Sequence, residues 1–304
     1  MKVLLFIFMI SSLFCAKRGL AKQDYLFVEG VFDSNKRWTN FSKDETLNLR
    51  NLVQQLAKSS SGKRLLLKAK NKAAKQGLTL TDVIKAGSGS LTDTTLIRKF
   101  SPRRPEHISY ETKSVVYINR NLNQYDAILD LAHELTHFVY RSDFNPYKSD
   151  FSLAEFIKNT IEGRGGEVQA FMKECQVLKE LYPSKYNQRY NCGKIIDPKT
   201  GKTSYALAIR RFYQVGAFED PFKKLLNKEG ILSNFPEISS DEVSFVSSAY
   251  GVPYPVAAFK EFKAVMSKVC SNDKKRLAYL SQNTEGRSPA SDFITTFKAK
   301  CRNF

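Results

Sequence analysis

The stretch Leu129–Tyr140, "LDLAHELTHFVY", constrains this chain more than any other. Leu129, Leu131, Ala132, Leu135, Phe138 and Val139 recur at helical spacing, which predicts an amphipathic helix. On it stand two of the chain's three histidines, His133 and His137. Positions i and i+4 lie about one turn apart on one helix face, so both imidazoles can reach a single ion. Glu134 follows the first histidine directly and points to the side. The pattern H-E-x-x-H therefore offers two neutral nitrogen ligands for Zn²⁺ and a carboxylate able to take a proton from a zinc-held water. In a chain with so few histidines, chance produces this pattern in roughly one shuffled sequence in a thousand.

A hydrolytic zinc site needs a third protein ligand and an open position. The continuation "HELTHFVYRSD" has Tyr140 where a sharp return of the chain needs Gly, although Asp143 stands at the next ligand spacing. No histidine follows. The remaining route is a carboxylate from the next helical stretch, where Glu155, Glu162 and Glu167 are candidates. Glu167 is favoured over Glu162, Glu155 and Asp143, because Gly163, Gly166 and Ala170 form a small-residue stripe that lets two helices approach. If Gly163–Gly166 is instead a loop, Glu167 opens the second helix and still binds.

"AHELTH" followed by a glutamate on a following helix resembles the gluzincin zinc metallopeptidases over about 130–171. The resemblance implies His133, His137 and Glu167 as ligands of one Zn²⁺ per chain. It implies Glu134 as the general base of peptide-bond hydrolysis. An oxyanion donor is also needed, for which His107, Tyr140 and Arg164 are local candidates. The strand expected at 114–120 precedes the motif helix and is a candidate edge for an extended peptide.

The N-terminus "MKVLLFIFMISSLFCAKRGLA" has a basic start, a short apolar run and a small-residue cut site. It reads as a signal peptide over 1–21, cut after Ala21 or Ala16, which predicts a secreted or periplasmic protein. Export discards Cys15 and leaves Cys175, Cys192, Cys270 and Cys301, an even set in an oxidising compartment. Of the three formal pairings, the local ones, Cys175–Cys192 and Cys270–Cys301, are favoured. The chain carries a net +18, and losing Lys2, Lys17 and Arg18 with no acid leaves +15. Such charge attracts anionic envelope polymer, peptidoglycan or acidic lipid, although solubility alone would also account for it. The densest basic run, 62–77, has no interleaved aromatics, which argues against nucleic acid.

The expected fold class is α+β, mainly α-helical. A small antiparallel sheet near 94–120 packs on the H-E-x-x-H helix, and the C-terminal part is helical. Residues 22–304 form one catalytic unit: a helical part over 22–90, the zinc-site core over 91–183 and a helical part over 184–304. Within it, "SKDE" at 42–45 reads as a capping box, "LTDVIKAG" as a short helix, "SPRRPEHISYE" as a loop, 153–181 as one long helix and 184–204 as a loop. "TGKT" at 200–203 lacks the preceding glycine of a phosphate-binding loop. Two alternatives stand beside the exported peptidase: a basic envelope-binding protein with a structural or inactive metal site, and a zinc amidase acting on cell-wall peptides.

Overall fold

The computed structural model describes residues 35–101, 104–142, 144–148, 151–188, 190–283 and 291–302. The segment 1–21, read from the sequence as a signal peptide, and Asp143 lie outside the described residues. The elements run α1 (Glu45–Ala57), α2 (Ser60–Lys75), α3 (Leu80–Val83), β1 (Ile84–Gly87), β2 (Leu91–Ser101), β3 (Arg104–Asn119) and α4 (Gln124–Tyr140). They continue with α5 (Leu153–Ile161), α6 (Glu167–Leu181), α7 (Pro183–Gln188), α8 (Tyr190–Gly193), α9 (Tyr205–Phe212), α10 (Glu219–Lys228), α11 (Tyr254–Asn283) and α12 (Ser291–Lys300). The chain is thus α+β and mainly helical, as its periodicity predicts.

The N-terminal helices follow local chemistry. α1 is capped by Asp44, which accepts from Thr46 N, and not by Ser42, whose hydroxyl instead accepts from Asp44 N. α2 buries Leu65, Leu66, Ala69 and Ala73 and turns most of its lysines to water. Ser59 caps it by accepting from Gly62 N at 2.9 Å. Gly77, at φ +71°, ends it.

The sheet is mixed rather than antiparallel, in the order β1-β3-β2. β2 pairs antiparallel with β3, Thr92 opposite Val116, while β1 runs parallel to β3, Ile84 opposite Val116. The segment read as one short helix divides into α3, closed by a Thr79/Asp82 capping box, and β1. Residues 88–90 step from one side of β3 to the other, across roughly 10 Å of strand spacing. The four Cα steps from Gly87 to Leu91 cover that gap with length to spare, and the chain bends at 88 and 89. Ser90 Oγ then accepts from Asn119 N, tying the step to the end of β3. β3 begins at Arg104, so most of the expected loop 101–111 is strand, which makes β2–β3 a long hairpin. Its outer half reaches α11 through a largely buried ion pair between Arg98 and Asp273, with the Arg98 guanidinium 4.0 Å above the Tyr147 ring. β3 has neighbours on both sides, so the sheet edges are β1 and β2 and not 114–120.

α4 is the axis of the molecule. Its N-cap Asn123 accepts from Asp126 N at 2.8 Å and donates to the Asp126 carboxylate at 2.9 Å. Ala127, Ile128, Leu131, Ala132, Leu135 and Phe138 are fully covered, packed by α1, α2, β3 and α6. One buried cluster extends from Trp38 through α4 to Met266 and Cys270 of α11.

The long helix expected over 153–181 is two helices, α5 and α6, separated by residues 162–166. The loop expected at 184–204 contains α7 and α8 and an isolated bridge between Ile196 and Thr203. The cysteine pairs are Cys175–Cys192, which ties α6 to α8, and Cys270–Cys301, which ties α11 to the end of α12. No helix among the described residues is long and apolar enough to cross a membrane.

Candidate metal centre

His133 and His137 project from α4 toward the first turn of α6, where Glu167 stands. One ligand atom from each of the three lies within 4.8 Å of the others, a group able to hold a metal ion. Glu167 Oε2 is 3.3 Å from His133 Nε2, and its Oε1 is 3.5 Å from His137 Nε2. The carboxylate thus faces the Nε2 atoms of both rings. The group is recessed but reachable, since the His133 and Glu167 side chains each keep 15% of their surface exposed.

Both rings are held from behind. His133 Nδ1 lies 3.3 Å from Glu174 Oε2, and His137 Nδ1 lies 2.7 Å from the carbonyl of Gly165. An acceptor on each Nδ1 places the proton there and leaves each Nε2 lone pair free, the orientation a metal ligand needs. Arg141 Nη2 also lies 3.2 Å from His137 Nδ1, but a nitrogen donating to Gly165 cannot accept from Arg141. The carbonyl contact is shorter and can only accept, so it sets the tautomer, and Arg141 spends that hydrogen on Glu167 Oε1, 3.3 Å away.

The charges agree with this grouping. Burial alone would lower the His133 imidazole, but the carboxylates of Glu167 and Glu174 raise it well above its usual range. Burial would raise Glu167, but His137 and His133 hold it well below the ordinary carboxylate range. The same carboxylates that draw a proton onto His133 would hold a cation in its place.

The turn 162–166 makes the approach of the helices feasible. Gly165 has φ +72°, and a Cβ there would stand 2.2 Å from Arg141 N and 2.6 Å from Tyr140 C. Only glycine lets the turn lie against the end of α4 and aim its carbonyl at His137. The glycines therefore act as a turn rather than as a small-residue stripe on a helix face.

Glu134 is buried on the sheet side of α4. Thr92 shares the core-facing side of the sheet with Val116, and its hydroxyl lies 2.8 Å from both the carbonyl and Oε2 of Glu134. One hydroxyl hydrogen serves either oxygen, so β2 fixes the glutamate in place. Asp130, one turn earlier, is pushed up to about 6 by burial, against a hydrogen bond from Ser90.

The other acidic candidates lie elsewhere. Glu162 Oε1 lies 3.3 Å from the Tyr213 hydroxyl, and Glu155 is exposed on α5. Among the oxyanion candidates, Tyr140 accepts from Lys68 at 2.9 Å, Arg164 sits over the Tyr140 ring, and His107 is exposed on the outer half of β3. Sequence reasoning missed Glu174, Thr92 and Tyr254. Tyr254 opens α11. Burial, reinforced by the carboxylates of Glu167, Glu174 and Glu134, holds its phenol well above the usual range. It therefore remains a hydrogen-bond donor at neutral pH. Glu174 had a signal, its seven-residue spacing from Glu167 on one helix face. Thr92 and Tyr254 had none, because folding alone brings them to the site.

These features define a mainly helical α+β protein in which two helices present a His/His/Glu group able to hold a metal ion. No family model, curated protein or solved structure matches the chain.

Proposed function

We propose that this chain is an exported, gluzincin-like zinc metalloendopeptidase. The observation that carries the reading is the joint orientation of His133, His137 and Glu167. The Nε2 atoms of both rings face one carboxylate, while each Nδ1 is occupied by a second partner. Two imidazoles and a carboxylate suit Zn²⁺ and leave a position open. When bound there, the ion would supply Lewis acidity and a water of lowered pKa.

The chain's own residues would do the rest. Glu174 and Gly165 keep the two Nε2 lone pairs on target. Glu134 Oε2, steadied by the Thr92 hydroxyl, takes a proton from the attacking water and returns it to the leaving amine nitrogen. The Tyr254 hydroxyl, kept protonated among carboxylates, donates to the developing oxyanion. The β2 edge lies beside Glu134 and offers backbone groups to an extended peptide. Two disulfides, with the sequence reading of 1–21, support an oxidising extracytoplasmic location.

The test is metal analysis of the purified mature protein beside its Glu134→Gln variant, with casein and peptidoglycan as substrates. The reading requires one Zn per chain in both proteins and cleavage of casein by the parent alone. Zinc without turnover of either substrate favours the basic envelope-binding alternative. Turnover of peptidoglycan alone favours the cell-wall amidase.

A further inference from the structure

Helix α6 sorts its charges. Glu167 and Glu174 face the histidines of α4, whereas Lys173 and Lys179 stand on another face. There α6 floors a groove of about 1130 Å³, whose far wall is the turn that leads from Lys202 into Tyr205 of α9. Three ties hold the walls in place. The Cys175–Cys192 bridge joins α6 to α8, Ile196 and Thr203 form a bridge that closes the turn, and the Tyr205 hydroxyl donates to the carbonyl of Glu162 at 2.5 Å. A groove so braced is formed before any ligand arrives.

Its lining is lopsided in charge. Arg164, Lys173, Lys179 and Lys202 line it, and among the described residues Glu180 is the acid set against them. That carboxylate is already occupied, since it accepts from Ser59 Oγ, Ser61 N and Ser61 Oγ at the head of α2. Among the described residues, none of the four cations forms an ion pair with a carboxylate. The positive field continues onto α2. Burial lowers the Lys173 ammonium from its ordinary value, Tyr140 and Glu180 oppose this, and Arg64 and Lys68 add to it. A cleft lined by one sign of charge focuses its field on an incoming ligand of the other sign.

Shape and side-chain chemistry narrow the occupant. A flat bilayer cannot enter a groove. Single-stranded nucleic acid asks for a row of stacking rings. Here Tyr205 is 44% exposed, and Tyr186, the other ring of the lining, is buried. Arginine suits the paired oxygens of a phosphate, whereas the compact lysine ammonium meets a single carboxylate as well. Three of the four cations are lysines. Met172 and the Tyr205 ring leave apolar surface between them for intervening side chains. Residues 169–179 of the floor run about 15 Å, the length of about four or five residues of extended chain.

We propose that this groove binds a short, extended polypeptide segment rich in Asp and Glu, whatever the metal group does. The probes are the blocked peptides Ac-Glu-Ala-Glu-Ala-Glu-NH₂ and its Gln counterpart. Binding is measured by calorimetry on the full mature chain carrying Glu134→Gln, a position outside the groove, so that the probes persist.

The Glu peptide binds about tenfold more tightly than the Gln peptide, the product of three exposed ion pairs at about two- to threefold each. Lys179→Gln/Lys202→Gln changes two exposed groove residues and lowers affinity for the Glu peptide by about four- to tenfold. Lys224→Gln/Lys228→Gln, exposed on α10, removes the same charge outside the groove and changes affinity by less than about twofold. Equal binding of the two peptides overturns the proposal. So do equal losses in the two double variants, which would make net charge and not the groove responsible. An oligothymidylate or a phosphatidylglycerol vesicle that outcompetes the Glu peptide, and loses that advantage in the groove variant, also overturns it and gives the groove to nucleic acid or to lipid.

Discussion

Glu174 Oε2 lies 3.3 Å from Nδ1 of His133, while Glu167 Oε2 lies 3.3 Å from Nε2 of the same ring. One imidazole is thus clasped between two carboxylates of a single helix, spaced by two turns. Glu167 also reaches His137, which gives the two acids different parts in the proposed site: Glu167 as a ligand and Glu174 as the group that orients the ring.

Substituting the two acids separates these parts. Glu167→Ala removes stoichiometric metal. Glu174→Ala keeps a 1:1 site but weakens it by about 10–100-fold, the usual consequence of losing a carboxylate behind a ligating histidine. Competition with a zinc-binding dye reads both. Equal losses in the two variants would contradict the assignment.

Tyr254→Phe leaves metal content intact and lowers kcat by about 10²–10³-fold, with a smaller change in KM, because the hydroxyl acts on charge that develops only in the transition state. The phenol is raised by burial and by neighbouring carboxylates, so no tyrosine ionisation should enter the rate profile near neutral pH. Steady-state kinetics on a fluorogenic peptide, with zinc measured on the same samples, is the check.

Glu180 joins α6 to the start of α2, accepting from Ser59 Oγ at 2.6 Å, Ser61 N at 2.8 Å and Ser61 Oγ at 2.6 Å. Burial opposes its ionisation, but these hydrogen bonds bring it from 4.5 to about 2. A carboxyl depressed by folding stabilises the fold above its unfolded pKa and loses that contribution as pH falls through the folded value. Glu180→Gln is therefore destabilising at pH 7, by no more than about 1 kcal/mol given its exposure. The gap to the parent closes between pH 4.5 and about 2, as urea melts across that range will record.

The Cys175–Cys192 bridge closes a loop with a sequence separation of 17 residues and anchors the helix that carries both acids. Replacing the pair with alanines costs about 3 kcal/mol on loop-closure grounds. Tm falls by several degrees, and zinc affinity falls with it as α6 loosens. A lowered Tm with undiminished affinity would show that the bridge serves the fold alone.

The parts legible in the sequence were those fixed by local chemistry. α4 could be read because its apolar period and paired histidines lie within one continuous segment. The cysteine pairing followed from proximity in the chain. β1 could not be read, because "IKAG" after a capping box looks helical and becomes strand only by pairing with Val116–Asn119, some thirty residues on. The outer half of β3 looked like a loop because Pro105 breaks strand patterns, yet it lies near a hairpin tip, where proline is tolerated. The α5–α6 break lay in "GRGG", whose glycines were read first for their size, with a loop that leaves Glu167 to open the second helix as the alternative the structure shows. Glu134 could be named from the motif, but Thr92 could not, since a threonine in an edge strand carries no sign of what it faces.

Surface connections ordinarily absorb added or missing residues with little effect. The turn 162–166 is an exception to that tolerance. Its Gly165 carbonyl steers one ring, and two residues later the same backbone delivers Glu167. Lengthening or shortening this turn by a single residue would misdirect an imidazole and displace a carboxylate in one event. Loop-length variation among chains built on this plan should therefore be rarer here than at any of their other exposed bends.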